Sequence, residues 1–156
     1  MYKNIAIVFG CGGHRAQATR FYREFAIDGD INFFAITDEG KAPNWSEQCL
    51  VLEPLRNKYT GRLVSPLKFY SNVVKSYRFL RKNDISTLVS FGPGVAIFAG
   101  VAAKLTGCSI IHFETWSKFH SPSWTTRVMK YFTKHIFIQN IELKNKIPYG
   151  KYVGRL

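Results

Sequence analysis

In the stretch GCGGHR, residues 10–15, three glycines in four positions are followed by a histidine and an arginine. Glycine gives up side-chain packing and costs chain entropy, so backbone must come close to something at this point. Between a buried strand and a helix, such a turn aims main-chain N–H groups outward at the positive end of the helix dipole, which suits a phosphate. Gly10, Cys11, Gly12 and Gly13 make the turn, while His14 and Arg15 add donors or charge. His14, with an unperturbed pKa of about 6.5, is a candidate general base; the alternative is a phosphate-binding or helix-capping residue. Gly92-Pro93-Gly94 repeats the arrangement, and two glycine-lined helix starts on one edge would flank a diphosphate. For either turn, the alternative is a tight bend without a ligand.

A third group of residues is FETWSKFHSPSWTTR, where Glu114 precedes Trp116, Phe119 and Trp124, interleaved with Lys118, His120 and Arg127. A carboxylate at a strand end can bind a sugar hydroxyl or act as base; capping a neighbouring helix or pairing with a cation is the alternative. Gly10-x-Gly12 together with Asp38 also begins a dinucleotide fingerprint, but Arg15 stands where the third glycine would allow close packing. No zinc spacing, Walker loop, Ser-His-Asp order or paired carboxylates emerge, so no metal or other cofactor is expected.

These residues need elements to hold them. NIAIVF (4–9) is a continuous apolar run leading into glycine, which predicts a strand buried on both faces, with a helix following over about 14–26. INFFAIT (31–37), CLVLEP (49–54), STLVSF (86–91), SIIHF (109–113) and HIFIQ (135–139) predict five more strands, Pro54 closing the third. Strands alternating with helix-length segments imply parallel pairing through crossovers, hence a doubly wound, mostly parallel, Rossmann-like α/β sheet. Such sheets bind ligands outside the carboxyl ends of their strands, where both glycine turns fall.

The segment 66–82, PLKFYSNVVKSYRFLRK, predicts a helix with Pro66 in its first turn. Projected at about 100° per residue, Leu67, Tyr70, Val73, Val74, Tyr77 and Leu80 share one arc, expected to face the core. Lys68, Lys75, Arg78 and Lys82 share the other, with Phe79 at its border. The basic arc predicts docking on an anionic lipid surface, each cation contributing about 1 kcal/mol; a solvated helix face is the alternative.

At 156 residues the chain has room for one domain, 1–156, and 46% apolar residues place it among folded globular proteins. Twenty-two Lys plus Arg against ten Asp plus Glu leave a net charge of +12, so anionic partners are expected. Nucleic acid rests on charge alone, since no helix carries arginines arranged for base edges. Cys11, Cys49 and Cys108 are odd in number and read as small buried hydrophobes of a reducing compartment. The longest apolar window, from Leu88, is broken by Gly92-Pro93-Gly94 and falls short of the roughly 20 residues a bilayer span needs. The tail 151–156 is unstable unless packed, which makes it a candidate contact with a partner.

Assembled, these residues resemble the acceptor-side subunit of two-component glycosyltransferases: the family of asparagine-linked glycosylation protein fourteen and its bacterial relatives in capsule and exopolysaccharide synthesis. GCGGHRAQ, SFGPGVAIFAG, FETWSKF and the closing KYVGRL carry the match, in that order, across most of the chain. The resemblance implies the N-terminal half of a GT-B enzyme, with a partner chain carrying the nucleotide-sugar site. It implies inverting transfer from a UDP-sugar to a polyprenyl-diphosphate-linked saccharide. Gly12, Gly13, His14 and Arg15 would face the acceptor diphosphate, Gly92 and Gly94 would flank it, and His14 would take the proton. Glu114 matches the family's glutamate, with its role open between acceptor positioning and base. The eukaryotic member carries an N-terminal membrane helix, whereas this sequence starts in its first strand. Attachment at the cytoplasmic face of the plasma membrane is therefore expected to be peripheral or through a partner. A recruiting module that needs no base remains the competing functional class.

Overall fold

The computed structural model describes residues 3–26, 29–57 and 60–155; Leu156, the end of the expected tail, lies outside them. Strands β1 (Lys3–Phe9), β2 (Ile31–Thr37), β3 (Cys49–Val51), β4 (Thr87–Ser90), β5 (Ser109–Phe113), β6 (His135–Ile138) and β7 (Lys151–Tyr152) form one sheet in the order β3-β2-β1-β4-β5-β6-β7. Every pairing is parallel. Helices α1 (Gly13–Phe25), α2 (Pro66–Lys82), α3 (Val95–Thr106) and α4 (Trp124–Met129) cover its faces. The doubly wound parallel sheet expected from the sequence is the one found.

Strand alternation explains the layering. Ala6 and Val8 of β1 point to one face and join Val73 and Leu80 of α2, Ala99 and Ala103 of α3, and Met129 of α4. Ile7 and Phe9 point to the other and join Ala18 and Phe21 of α1 with Phe91 and Phe113. Phe9, Phe91 and Phe98 are fully buried, each contributing roughly 1.5–3 kcal/mol by area. Ala96, Ala99, Gly100 and Ala103 keep α3 slim enough to lie between the sheet and its neighbours.

Three expectations are corrected. The third strand ends at Val51, before Pro54, although the Leu52 N–H still donates to the Thr37 carbonyl at 2.8 Å. Lys151 and Tyr152 are not a loose tail: they pair with Phe137 and Ile138 as a seventh strand, beside a 3-10 turn at Ile141–Asn145. The cysteines form no disulfide, and Cys11 is exposed rather than buried, with Cys49 and Cys108 half-buried.

Helix α2 has the expected bounds, set by Pro66 in its first turn and the Ser65 hydroxyl accepting the Lys68 N–H at 3.4 Å. Its inward face is the expected one only in part: Val73 and Leu80 face the core as expected. Asn72, Val73, Ser76 and Leu80 are buried, and Phe79 packs inward edge-on to Phe34 at 6.3 Å. Leu67, Tyr70 and Tyr77 are exposed instead, Leu67 by 79%. The apolar arc therefore divides, because Asn72 and Ser76 can be buried by bonding backbone: Asn72 donates to the Glu53 carbonyl and Ser76 to the Asn72 carbonyl. Among the described residues, no helix is long and apolar enough to cross a membrane.

A side chain at Gly100 would meet Met129 Sδ and Phe132 Cδ2 at 3.1 Å, so α3 and α4 touch through this glycine. Gly100→Val is expected to cost about 1–3 kcal/mol by overpacking, read as a lower urea midpoint with unchanged slope. Leu105→Ala, on the exposed side of the same helix, should leave the midpoint within error.

Candidate functional site

The strand order reverses between β1 and β4, and both glycine turns leave from that point: β1 leads through Gly10–Gly13 into α1 on one face, β4 through 91–94 into α3 on the other. A Cβ on Gly10 would stand 3.1 Å from both Asp38 Oδ1 and Pro93 Cβ, so the two turns meet only because this residue has none. Gly12 and Gly92 take φ values of 63° and 92°, where side chains are strained. No side chain caps α1 at Gly12 or α3 at Gly94. At the start of α3 the Ala96 and Ile97 amides already donate to the Pro93 and Gly94 carbonyls, at 3.0 and 3.1 Å, so it is the start of α1 that opens onto the carboxyl edge.

His14 joins the two turns. Its ring lies with Cε1 3.5 Å from the Cβ position of Gly92 and Cδ2 3.8 Å from that of Gly10. Nδ1 is buried and has no hydrogen-bond partner among the described residues. Burial pushes its pKa below the ordinary histidine value, opposed by the Phe91 carbonyl and the charges of Asp38 and Glu114. The imidazole is therefore neutral near pH 7 and able to accept a proton. One turn along the buried face of α1, Gln17 also has neither amide atom hydrogen-bonded among the described residues.

Arg15 reaches away from the turn. Its Nη1 bonds Glu39 Oε2 at 2.7 Å, so the cation expected beside a phosphate is shared with a carboxylate.

Glu114 is fully buried and does not face the open edge. Its Oε1 accepts the Thr115 N–H at 2.9 Å and its Oε2 the Ser123 N–H at 2.6 Å. These bonds pin both ends of the 115–123 loop. Asn140 Nδ2 donates to the carbonyls of Trp116 and Lys118, Arg155 donates to Asn140 Oδ1 at 3.0 Å, and the Arg155 guanidinium lies over the Phe119 ring at 5.4 Å. The held loop brings Trp116 Nε1 to 3.4 Å from the Cβ position of Gly13, over the first turn. Of the readings open for Glu114, the observed bonds are closest to helix capping, since Ser123 is the N-cap of α4; they also clamp the loop, and the carboxylate biases His14 by its charge.

A buried hydrogen-bond chain links this loop to the second turn. The Gly92 N–H donates to Ser90 Oγ at 3.4 Å, Ser90 Oγ meets His112 Nδ1 at 3.1 Å, and His112 Nε2 meets Thr126 Oγ1 at 2.6 Å. Ser123 Oγ donates to Thr126 Oγ1 at 3.1 Å and extends the chain toward the 115–123 loop. Sequence reasoning missed Ser90, His112 and Thr126. A histidine inside the apolar strand SIIHF was the available signal.

Beside Gly94 opens a cleft of about 540 Å³, lined by Pro54, Leu55, Arg56, Leu63 and Trp124, with Asp38 at its wall. Its outer wall is a hairpin: Val64 donates to the Leu55 carbonyl, Arg56 bridges Leu63, and Asn57 donates to the Arg62 carbonyl. The hairpin sits so close that a Cβ on Gly94 would lie 2.9 Å from Leu55 Cβ. Among the described residues, no cluster of His, Cys, Asp and Glu could hold a metal ion.

No protein-family model matches the sequence. The chain is 32% identical over 83 residues to the UDP-N-acetylglucosamine–N-acetylmuramyl-(pentapeptide) pyrophosphoryl-undecaprenol N-acetylglucosamine transferase of Neisseria meningitidis, covering 50% of this chain and 23% of that enzyme. This chain thus spans about a quarter of that relative's length. Its fold matches MurG of Acinetobacter baumannii with a TM-score of 0.69 at 16% identity, over 90% of this chain and 42% of that one. UDP-GlcNAc 2-epimerase of Methanocaldococcus jannaschii matches with a TM-score of 0.67 at 12% identity, over 97% and 45%. The fold is that of the N-terminal half of a GT-B glycosyltransferase.

Burial holds the His112 pKa at about 3, below its ordinary 6.5, with a smaller contribution from His14. A group depressed in the folded state stabilises fully above its unfolded pKa and loses that contribution as pH falls toward the folded value. Urea midpoints are therefore expected to fall below about pH 6 by up to roughly 1.4 kcal/mol per pH unit. In His112→Asn, already less stable at pH 8, this acid-side slope should be markedly shallower; an equal slope would assign it elsewhere.

Proposed function

We propose that this chain is the acceptor-side half of an inverting glycosyltransferase that moves a sugar from a UDP-sugar to a polyprenyl-diphosphate-linked acceptor at a membrane surface. The observation that carries this reading is His14, a neutral imidazole wedged between two glycine turns. The similarity to a transferase whose name specifies a pyrophosphoryl-undecaprenol acceptor supports it. The finer resemblance, to the two-component branch and its capsule and exopolysaccharide members, belongs to the same proposal.

The amides at the start of α1, with Gly12 and Gly13, receive the acceptor diphosphate, since helix N-termini favour anions, and Gly92 and Gly94 flank it. His14 takes the proton from the acceptor hydroxyl as that oxygen bonds the donor's anomeric carbon. The carbon–oxygen bond to the β-phosphate breaks in the same step, and UDP leaves with the electron pair. Arg15, already paired with Glu39, adds positive potential without a direct bond. Glu114 keeps the Trp116 loop over the first turn. The donor nucleotide is held by a second α/β unit, which we assign to a partner glycosyltransferase subunit.

Membrane docking belongs to the outer face of α2. There Leu67, Tyr70 and Tyr77 are exposed alongside Lys75, Arg78 and Lys82, an apolar stripe flanked by cations. Such a face suits shallow, reversible insertion among anionic headgroups on the cytoplasmic side. Lys68 contributes less, because its Nζ pairs with Glu53 at 2.8 Å, and Phe79 contributes nothing, because it faces inward.

In the complex with its donor-binding partner, His14→Gln is expected to lower turnover by about 10²–10⁴-fold with little change in acceptor KM. The wild-type profile should lose activity as pH falls through a value below 6.5, where the base becomes protonated. Near-normal turnover of His14→Gln would favour a recruiting role instead. Changing Lys68, Lys75, Arg78 and Lys82 together to Gln should weaken binding to phosphatidylglycerol vesicles by about a hundredfold. Unchanged partitioning in vesicle co-sedimentation would remove the docking assignment.

A further inference from the structure

We propose that the cleft beside Gly94 is a subsite for the apolar chain of the lipid carrier, receiving the isoprene units next to the diphosphate. This rests on the acceptor reading above and adds where the hydrocarbon goes once the diphosphate is seated. The cleft holds about 540 Å³, within the range of small-ligand sites of about 300–1,000 Å³. Pro54, Leu55, Leu63 and Trp124 supply most of its wall. A saccharide would call for several convergent hydrogen-bonding groups, and this wall offers two charged side chains, Asp38 and Arg56. Hydrocarbon is the better match to such a lining.

Position points the same way. Gly94, at the start of α3, lines the cleft, so a diphosphate seated between the two turns would leave its first isoprene beside it. Arg56 places a cation on the wall, its Nε anchored to the Gly61 carbonyl at 2.8 Å, where a phosphate–prenyl junction would lie. The outer rim carries Leu63, 66% exposed, and Trp124, 57% exposed. Leu63 also lines the adjoining groove with Val64, Ser65 and Lys68, at the start of α2. The adjoining groove also carries Glu53, Asn57, Thr60 and Arg62, so the apolar lining belongs to the cleft itself, between Leu63 and the second glycine turn.

The test uses water-soluble probes with the whole chain: calorimetric titration with inorganic pyrophosphate, geranyl diphosphate and farnesyl diphosphate below their critical micelle concentrations. Affinity is expected to rise with each isoprene unit, farnesyl diphosphate binding at least tenfold more tightly than pyrophosphate. Leu63→Gln combined with Trp124→Gln should return farnesyl diphosphate to the affinity of pyrophosphate and leave pyrophosphate itself unchanged. Both side chains are more than half exposed, so the fold should survive, as thermal unfolding will show. Leu67→Gln with Tyr70→Gln, on the α2 face, should leave all three affinities intact. If pyrophosphate binds but the chain adds nothing, or the Leu63/Trp124 variant keeps the chain-length gain, the subsite is overturned while the acceptor reading stands. If no diphosphate binds, the acceptor reading fails and the subsite with it.

Discussion

Everything at the carboxyl edge depends on two neighbouring strands, β1 and β4, sending their chains to opposite faces of the sheet. The divergence opens a crevice between the two turns, and its width is set by what the turns lack. Gly10 has no Cβ to strike Asp38 or Pro93, and Gly92 takes a backbone conformation closed to other residues without strain. The backbones can therefore approach until one imidazole spans them. His14 is held by this approach, and the same burial keeps it neutral.

Around that contact, buried polar groups act as fasteners. Glu114 spends both carboxylate oxygens on loop amides, and His112 spends both ring nitrogens on hydroxyls from two other elements. Such groups are costly to bury unless fully bonded, and once bonded they permit few alternative arrangements. The chain from Gly92 through Ser90, His112, Thr126 and Ser123 to Glu114 therefore ties the second glycine turn to the loop that carries Trp116. Two surfaces that would touch one ligand are set by one internal framework.

The lipid-facing side follows a different logic. Helix α2 buries a face containing Asn72 and Ser76 and leaves leucine and tyrosines in solvent, the reverse of an ordinary surface helix. Exposed apolar residues flanked by cations fit an interface between water and anionic lipid. Close to the same helix start, the paired segments 55–57 and 62–64 lie over Gly94 and wall the cleft.

By itself the sequence determined the parallel sheet, since continuous apolar runs such as INFFAIT and SIIHF read as strands buried on both faces and the glycines mark their exits. It also located both turns and His14, and the bounds of α2, because capping and proline placement are local chemistry. Only the tertiary structure decided which way side chains turn. Phe79 faces in and Leu67 out because the buried arc of α2 is chosen by contacts with α3 and the sheet, which helical periodicity does not encode. Glu114 clamps a loop because Ser123, nine residues on, folds back to meet it. The Ser90–His112–Thr126 chain spans residues 14 and 22 positions apart. The 151–152 segment becomes a strand only where β6 presents an edge. Each of these outcomes depends on distances between segments remote in sequence, and those distances exist only once the sheet has formed.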